Sequence, residues 1–197
     1  MQQVNYISVA RTTALLILVL AAGPAAAHVS IEHSVSGFWA GVLHPWQGLD
    51  HLLAMLAVGI WAAHHRRPAL YLLPLAFPVM MAAGALLAMN GIVLPGIEAG
   101  IVASLIVLGL LIAFAIRMPV AGSVALISLF ALAHGYAHGA EMPASASAAA
   151  FGAGFLLSTA TLHVSGLAAA LAARRWTLLS RVAGAAIAAT GAYLVLA

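Results

Sequence analysis

The chain has 197 residues, of which 65% are hydrophobic and 6% charged, with seven Lys+Arg against four Asp+Glu and a formal net charge of +3. A soluble domain carries about 25% charged residues, so a water-covered globule is excluded, and disorder, coiled coil and nucleic-acid binding go with it because each needs a polar or charged surface. Every basic residue is an arginine, there is no cysteine to form a disulfide or a thiolate metal site, and nine histidines are the dominant chemical resource.

The first element, Met1 to Ala27, carries Arg11, a short apolar run from Ala14 to Ala22, and Gly23-Pro24 ahead of Ala25-Ala26-Ala27. A run this short with an A-x-A end is the pattern of a cleaved secretory signal. Cleavage after Ala27 leaves a mature domain 28–197 that begins at His28, where a new amine stands beside an imidazole and can chelate a metal. A transmembrane helix takes about 20 mostly apolar residues. Breaking the rest of the chain at charged and turn-forming points gives six such runs: Gly48 to Ala63, Leu70 to Met89, Ile97 to Ile116, Val120 to His138, Ala148 to Ala173 and Leu178 to Leu196. The first run is short unless it starts near His44, and Pro45 suits the first turn of a helix. The sequence thus predicts an all-α polytopic membrane bundle of six helices after a cleaved signal peptide. Small residues such as Gly152-Ala153-Gly154 and Gly184-Ala185-Ala186 allow these helices to pack closely in lipid.

Arginine placement sets the orientation. Arg66 and Arg67 follow run one, Arg117 follows run three, and Arg174, Arg175 and Arg181 lie between runs five and six. Glu32, Glu98 and Glu141 fall on the other side. The arginine side is therefore cytoplasmic, and both mature termini face the exported side of a bacterial inner membrane, as a signal peptide requires.

The polar residues inside the runs are few and concentrated. Run one opens on His44-Pro45-Trp46-Gln47-Gly48-Leu49-Asp50-His51. Seven residues separate its two histidines, about two helical turns, which places them on one face. An intramembrane carboxylate such as Asp50 is by default a functional candidate; it can ligate an ion or accept a hydrogen bond from an imidazole on a neighbouring helix. Run four closes on His134-Gly135-Tyr136-Ala137-His138-Gly139-Ala140-Glu141, with an i, i+4 histidine pair suited to joint ligation. His163 stands within run five. Topology arranges these groups as a ladder from the exported surface toward the midplane, Glu141 shallowest and His163 deepest. Nitrogen and oxygen donors without thiolate suit nickel, cobalt or zinc. His163 and Asp50 equally fit hydrogen bonds between helices, His28 and His33 fit an ordinary tail, and His64 and His65 beside Arg66 and Arg67 fit a solvated cytoplasmic turn.

At these residues the sequence resembles the HupE/UreJ family of nickel-uptake membrane proteins. His44, Asp50 and His51 match its H-x5-D-H signature, and His134-Gly135-Tyr136-Ala137-His138-Gly139-Ala140-Glu141 resembles its second signature, with Ala133 where the family often has an aromatic. Leu162-His163 and Gly166 also look like the family's. The resemblance implies a secondary permease or facilitator, not an enzyme, that supplies nickel for hydrogenase or urease maturation, and a metal path of His44, Asp50, His51, His134, His138 and Glu141. The partners expected are a divalent metal ion, the lipid bilayer and a second copy of the chain, with no prosthetic group and no nucleic acid. Two rivals are of other classes: an intramembrane zinc hydrolase, in which histidines and a carboxylate activate water, and a membrane protein that binds the metal without transporting it.

Overall fold

The computed structural model describes residues 37–142 and 147–196, all within one packed unit, Val35–Ala197. The expected signal segment, Arg11, His28, Glu32 and His33 lie outside the described residues. Seven helices and no strand are found among those described: α1 Gly37–Gln47, α2 Leu49–Ala63, α3 Ala69–Met89, α4 Ile97–Ala113, α5 Val120–Glu141, α6 Ala148–Ala172 and α7 Thr177–Leu196. Helices α3 and α5 to α7 are long and apolar enough to cross a bilayer, whereas α2 and α4 are shorter apolar helices.

The expected boundaries hold within a few residues for five elements, because charged and turn residues end the helices where they stand. Asn90 closes α3 and Gly91 follows at φ 72°, the left-handed conformation that glycine takes without steric cost. Ser147 caps α6 by accepting the amide of Ala150 at 3.4 Å. The first element departs from expectation. A separate helix, α1, precedes α2, so Pro45 lies in the last turn of α1 and not in the first turn of a span. The chain then breaks at Gly48, whose extended φ −107°, ψ 120° ends one helix and starts the next. His44 and His51 consequently belong to two helices, not to one face of a single helix.

The helices pair as α1 with α6, α2 with α6 and α4, α3 with α5, and α4 with α7. Lipid supplies no hydrophobic drive between helices, so association rests on close van der Waals packing at small residues. Glycines sit at these crossings in facing pairs. A Cβ on Gly41 would meet the Phe151 carbonyl, and one on Gly154 the Phe38 carbonyl. Gly59 and Gly166 join α2 to α6 in the same way, Gly109 and Gly184 join α4 to α7, and Gly84, Gly135 and Gly139 join α3 to α5. Trp61, Phe77, Met55, Leu73, Leu105 and Leu108 fill the space between. The outward faces of the long helices are apolar too, with Leu75, Val79, Leu129, Leu157 and Val164 exposed, the surface a bilayer requires.

These crossings make a specific demand on stability. In Gly135→Ala the new methyl meets the backbone of Met81, which cannot rotate away, and overpacking of this kind costs about 1–3 kcal/mol. Gly152 has no atom within 4 Å of its Cβ position, so Gly152→Ala is expected to be neutral or to gain up to about 1 kcal/mol of helix propensity. Thermal unfolding of both variants in one detergent checks this, and equal stabilities would contradict the packing account.

Candidate metal centre

Three short stretches carry the polar side chains of the bundle. The last turn of α1 holds His44, and the first turn of α2 holds Asp50 and His51. The last two turns of α5 hold His134, His138 and Glu141 at i, i+4 and i+7, one helix face. The middle of α6 adds His163. Gly48 matters here for space, since a Cβ there would stand 2.7 Å from Asp50 Oδ1 and 3.0 Å from His51 Nδ1.

The rings form a continuous file. His44 and His138 have centroids 4.8 Å apart, His138 and His51 4.4 Å, and His51 and His134 5.1 Å. Phe77 of α3 then separates His134 from His163, at 5.6 Å and 5.0 Å. At the other end Glu141 Oε2 lies 3.5 Å from His44 Nε2. Ligand atoms of His44, His138 and Glu141 all fall within 4.8 Å of one another. Two donors on one tetrahedral ion at 2.0–2.1 Å stand about 3.3 Å apart, so a small contraction brings this trio onto a metal. His51 and His134 continue from the same ring of His138.

Hydrogen bonds to oxygen acceptors indicate which nitrogen three of the rings offer. His134 Nδ1 donates to the Phe130 carbonyl at 2.9 Å, and His163 Nδ1 donates to the Pro74 carbonyl at 3.2 Å. The Pro74 carbonyl is available because the residue four positions on is Pro78, which has no amide to give it. His51 Nδ1 and the His51 amide both donate to Asp50 Oδ1 at 2.8 Å. In each case Nε2 is left as the lone-pair nitrogen, the arrangement in which an outer partner fixes the tautomer and orientation of a metal-binding histidine. These Nε2 atoms are buried without a hydrogen-bond partner, as are both nitrogens of His138. Hydroxyls elsewhere in the helices are satisfied: Ser104 donates to Ile101, Thr161 to Leu157 and Thr190 to Ala186. Among the described residues every buried side-chain nitrogen or oxygen lacking a partner belongs to an imidazole. Such atoms are costly in an apolar interior, and a cation that accepts their lone pairs removes the cost.

The structure thus brings together His44, Asp50, His51, His134, His138 and Glu141, and sets His163 beyond Phe77. Asp50 bonds to its own neighbour His51, not to a histidine of another helix. His163 makes the interhelical hydrogen bond and also presents a bare Nε2. His64 and His65 lie in a turn as expected but are only partly solvated: they are half-buried, with His64 Nε2 2.9 Å from Ser180 Oγ and His65 Nε2 3.2 Å from Ser123 Oγ. Sequence reasoning missed Phe77, Phe155, which lies 4.2 Å from the His138 ring, and the Pro74–Pro78 pair. Only the last left a readable signal, because any proline strips the carbonyl four residues before it of its amide. A 310 Å³ cleft between α3, α5 and α6 reaches His138, and the rest of its lining is alanine, glycine, leucine, methionine and phenylalanine.

An all-helical, multi-pass membrane protein with imidazoles and carboxylates gathered at one end of the bundle is the class these observations define. Within that class the chain belongs to the HupE/UreJ family, whose sequence model, described as HupE / UreJ protein, matches residues 16–194. It is also similar to Protein HupE of Rhizobium leguminosarum bv. viciae, with 40% identity over 186 residues, covering 93% of this chain and 96% of that protein. No solved structure matches it.

Asp50 offers a direct check on this geometry. If it acts by holding His51, its loss weakens metal binding by about 10–100-fold, the usual effect of removing a residue that orients a ligand. Asp50→Asn is expected to insert normally and to lose nickel affinity on that scale by equilibrium dialysis, with Asp50→Glu retaining part of it. Wild-type affinity in the Asn variant would make Asp50 a structural residue.

Proposed function

We propose that the chain is a secondary permease for a divalent transition-metal ion, nickel before cobalt or zinc, and that it is not an enzyme. The observation that carries this is the file of imidazoles running from His44 beside Glu141 through His138, His51 and His134, the last three with buried nitrogens that have no hydrogen-bond partner. Borderline nitrogen and oxygen donors without thiolate match nickel and its neighbours, and the family resemblance favours nickel for hydrogenase or urease maturation.

On this reading α1 and α2, of 11 and 15 residues, make the first of six spans, broken at Gly48. Broken helices are tolerated at membrane depth where they line a site. The fourth helix, at 17 residues, reaches the short edge of the spanning range. Residues 1–27 are a cleaved signal peptide and 28–197 the mature domain, with His28 a further donor at its exported N-terminus. The carboxylate end faces the exported side, where Glu141 and His44 capture the ion, and the arginine end faces the cytoplasm of a bacterial inner membrane. A dication entering a negative-inside cell gains about 4.6 kcal/mol per 100 mV, which drives uptake without nucleotide hydrolysis. His163, past Phe77, is the inward station. The hydrolase reading gains nothing from the cleft beside His138, because its apolar lining has no polar group to orient a substrate for water attack.

Uptake of labelled nickel into proteoliposomes tests the proposal. His138→Ala, which removes the ring contacted by both His44 and His51, is expected to abolish flux, and His64→Ala to leave it near wild type at equal expression. Equal effects would remove the basis for the path, and stoichiometric retention without flux would favour the non-transporting alternative.

A further inference from the structure

The opposite end of the bundle is a second polar centre. Four elements meet there. The Trp61 indole donates to the Ile116 carbonyl at 3.0 Å, fixing the end of α2 against the segment that carries Arg117. His64 Nε2 lies 2.9 Å from Ser180 Oγ, fixing the same end against α7. Between these ties is a 200 Å³ pocket whose charged lining is Arg117, Arg174 and Arg181, joined by His64, Thr177 and Ser180.

Charge bookkeeping gives this pocket its character. Arg67 lies over the Tyr71 ring and Arg175 over the Trp176 ring, at 5.3 Å and 4.8 Å. The three pocket arginines have no such partner. The described carboxylates, Asp50, Glu98 and Glu141, sit at the other ends of their helices, and the ion pairs among the described residues are His44–Glu141 and His51–Asp50. All three are exposed, and arginine donates hydrogen bonds and accepts none, so the pocket gathers solvent-facing donors that have no carboxylate partner among the described residues. Burial, and after it the charge of Arg117 and His65, hold the His64 imidazole below its ordinary pKa, so it stands as a neutral ring with Nδ1 buried and unpartnered. The first turn of α7 adds the positive end of a helix dipole.

We propose that Arg117, Arg174 and Arg181, with His64, Thr177 and Ser180, form a binding pocket for a phosphate group, carried by an anionic phospholipid or free in solution. Guanidinium forks match the oxygens of a phosphate in pairs, and basic pockets between helix ends at the cytoplasmic face are where lipid phosphates dock. Exposed Leu178 and Leu171 at the same end offer apolar surface to acyl chains. The inference is independent of the metal reading.

Native mass spectrometry of the detergent-purified chain, titrated with phosphatidylglycerol, phosphatidylcholine and inorganic phosphate, tests it. The double variant Arg117→Gln, Arg181→Gln is expected to weaken binding of the phosphate probe by about tenfold, the effect of losing charge-assisted hydrogen bonds. The double variant Arg66→Gln, Arg175→Gln removes the same charge outside the pocket and is expected to change binding by less than about twofold. Retention of phosphatidylglycerol over phosphatidylcholine assigns the site to lipid, and binding of inorganic phosphate without lipid preference assigns it to a soluble anion. Equal losses in the two double variants, or no binding of any phosphate probe, would overturn the proposal. A second readout needs no variant: the titration midpoint of 15N-labelled His64 is expected to rise when phosphatidylglycerol or phosphate offsets the charge of Arg117, and an unmoved midpoint contradicts it.

Discussion

Backbone contact at glycine is the constraint on which the rest of this structure depends. Helices in lipid gain nothing from hiding apolar surface, so they hold together only where their backbones come close enough for dense packing. In α5 the residues that permit this, Gly135 and Gly139, each follow a histidine. Adjacent helix positions are about 100° apart, so seating those glycines on α3 turns His134 and His138 toward the interior. The same device on α6 seats α1 at Gly154 and α2 at Gly166, which delivers His44 and His51 to the rings of α5. Helix packing and site assembly are therefore one event, and a side chain at a crossing would disturb both.

Among the described residues, the buried side-chain atoms that this interior leaves without a partner are all imidazole nitrogens. Several hydroxyls, those of Ser104, Thr161, Ser165 and Thr190, bond back to their own helices, and the Phe130 and Pro74 carbonyls accept from His134 and His163. His51, His134 and His163 use one nitrogen to fix their orientation and leave the other bare, and His138 leaves both bare. Charge is arranged along the same axis, with the described carboxylates at one end of the bundle and the arginines at the other. A cation is attracted to the first end and an anion to the second. On the proposed reading the first end is the capture site, and the second sets the orientation of the chain in the membrane.

Most of the helical layout was legible because in a membrane chain polar residues are punctuation. Arg66-Arg67-Pro68, Asn90-Gly91 and Arg174-Arg175 stop helices where they occur, and three of the expected elements end near them. The break at Gly48 was less legible: Pro45 and Gly48 read equally as the start of a helix or as the gap between two, and only packing of α1 on α6 decides. The common location of Asp50, His51, His134, His138 and Glu141 followed from spacing and depth, whereas His44 joins them by the family resemblance, because its one-face argument assumed a helix that breaks at Gly48. The partner of Asp50 did not follow, because a carboxylate beside a histidine can bond within its own turn or across to another helix. The solvation of His64 and His65 was misread for a related reason. A charged turn looks solvated in sequence, but Ser123 and Ser180 on other helices bring both rings into contact.

The central claim is that bare imidazole nitrogens of the file bind the metal directly, and nickel K-edge X-ray absorption of the purified chain loaded with an equimolar amount of nickel tests it most directly. The account predicts a nitrogen and oxygen shell with outer-shell scattering from more than one imidazole, diminished in His138→Ala and unaltered in His64→Ala. An all-oxygen shell with no imidazole scattering, or a sulfur shell from the methionines near His138, would contradict it.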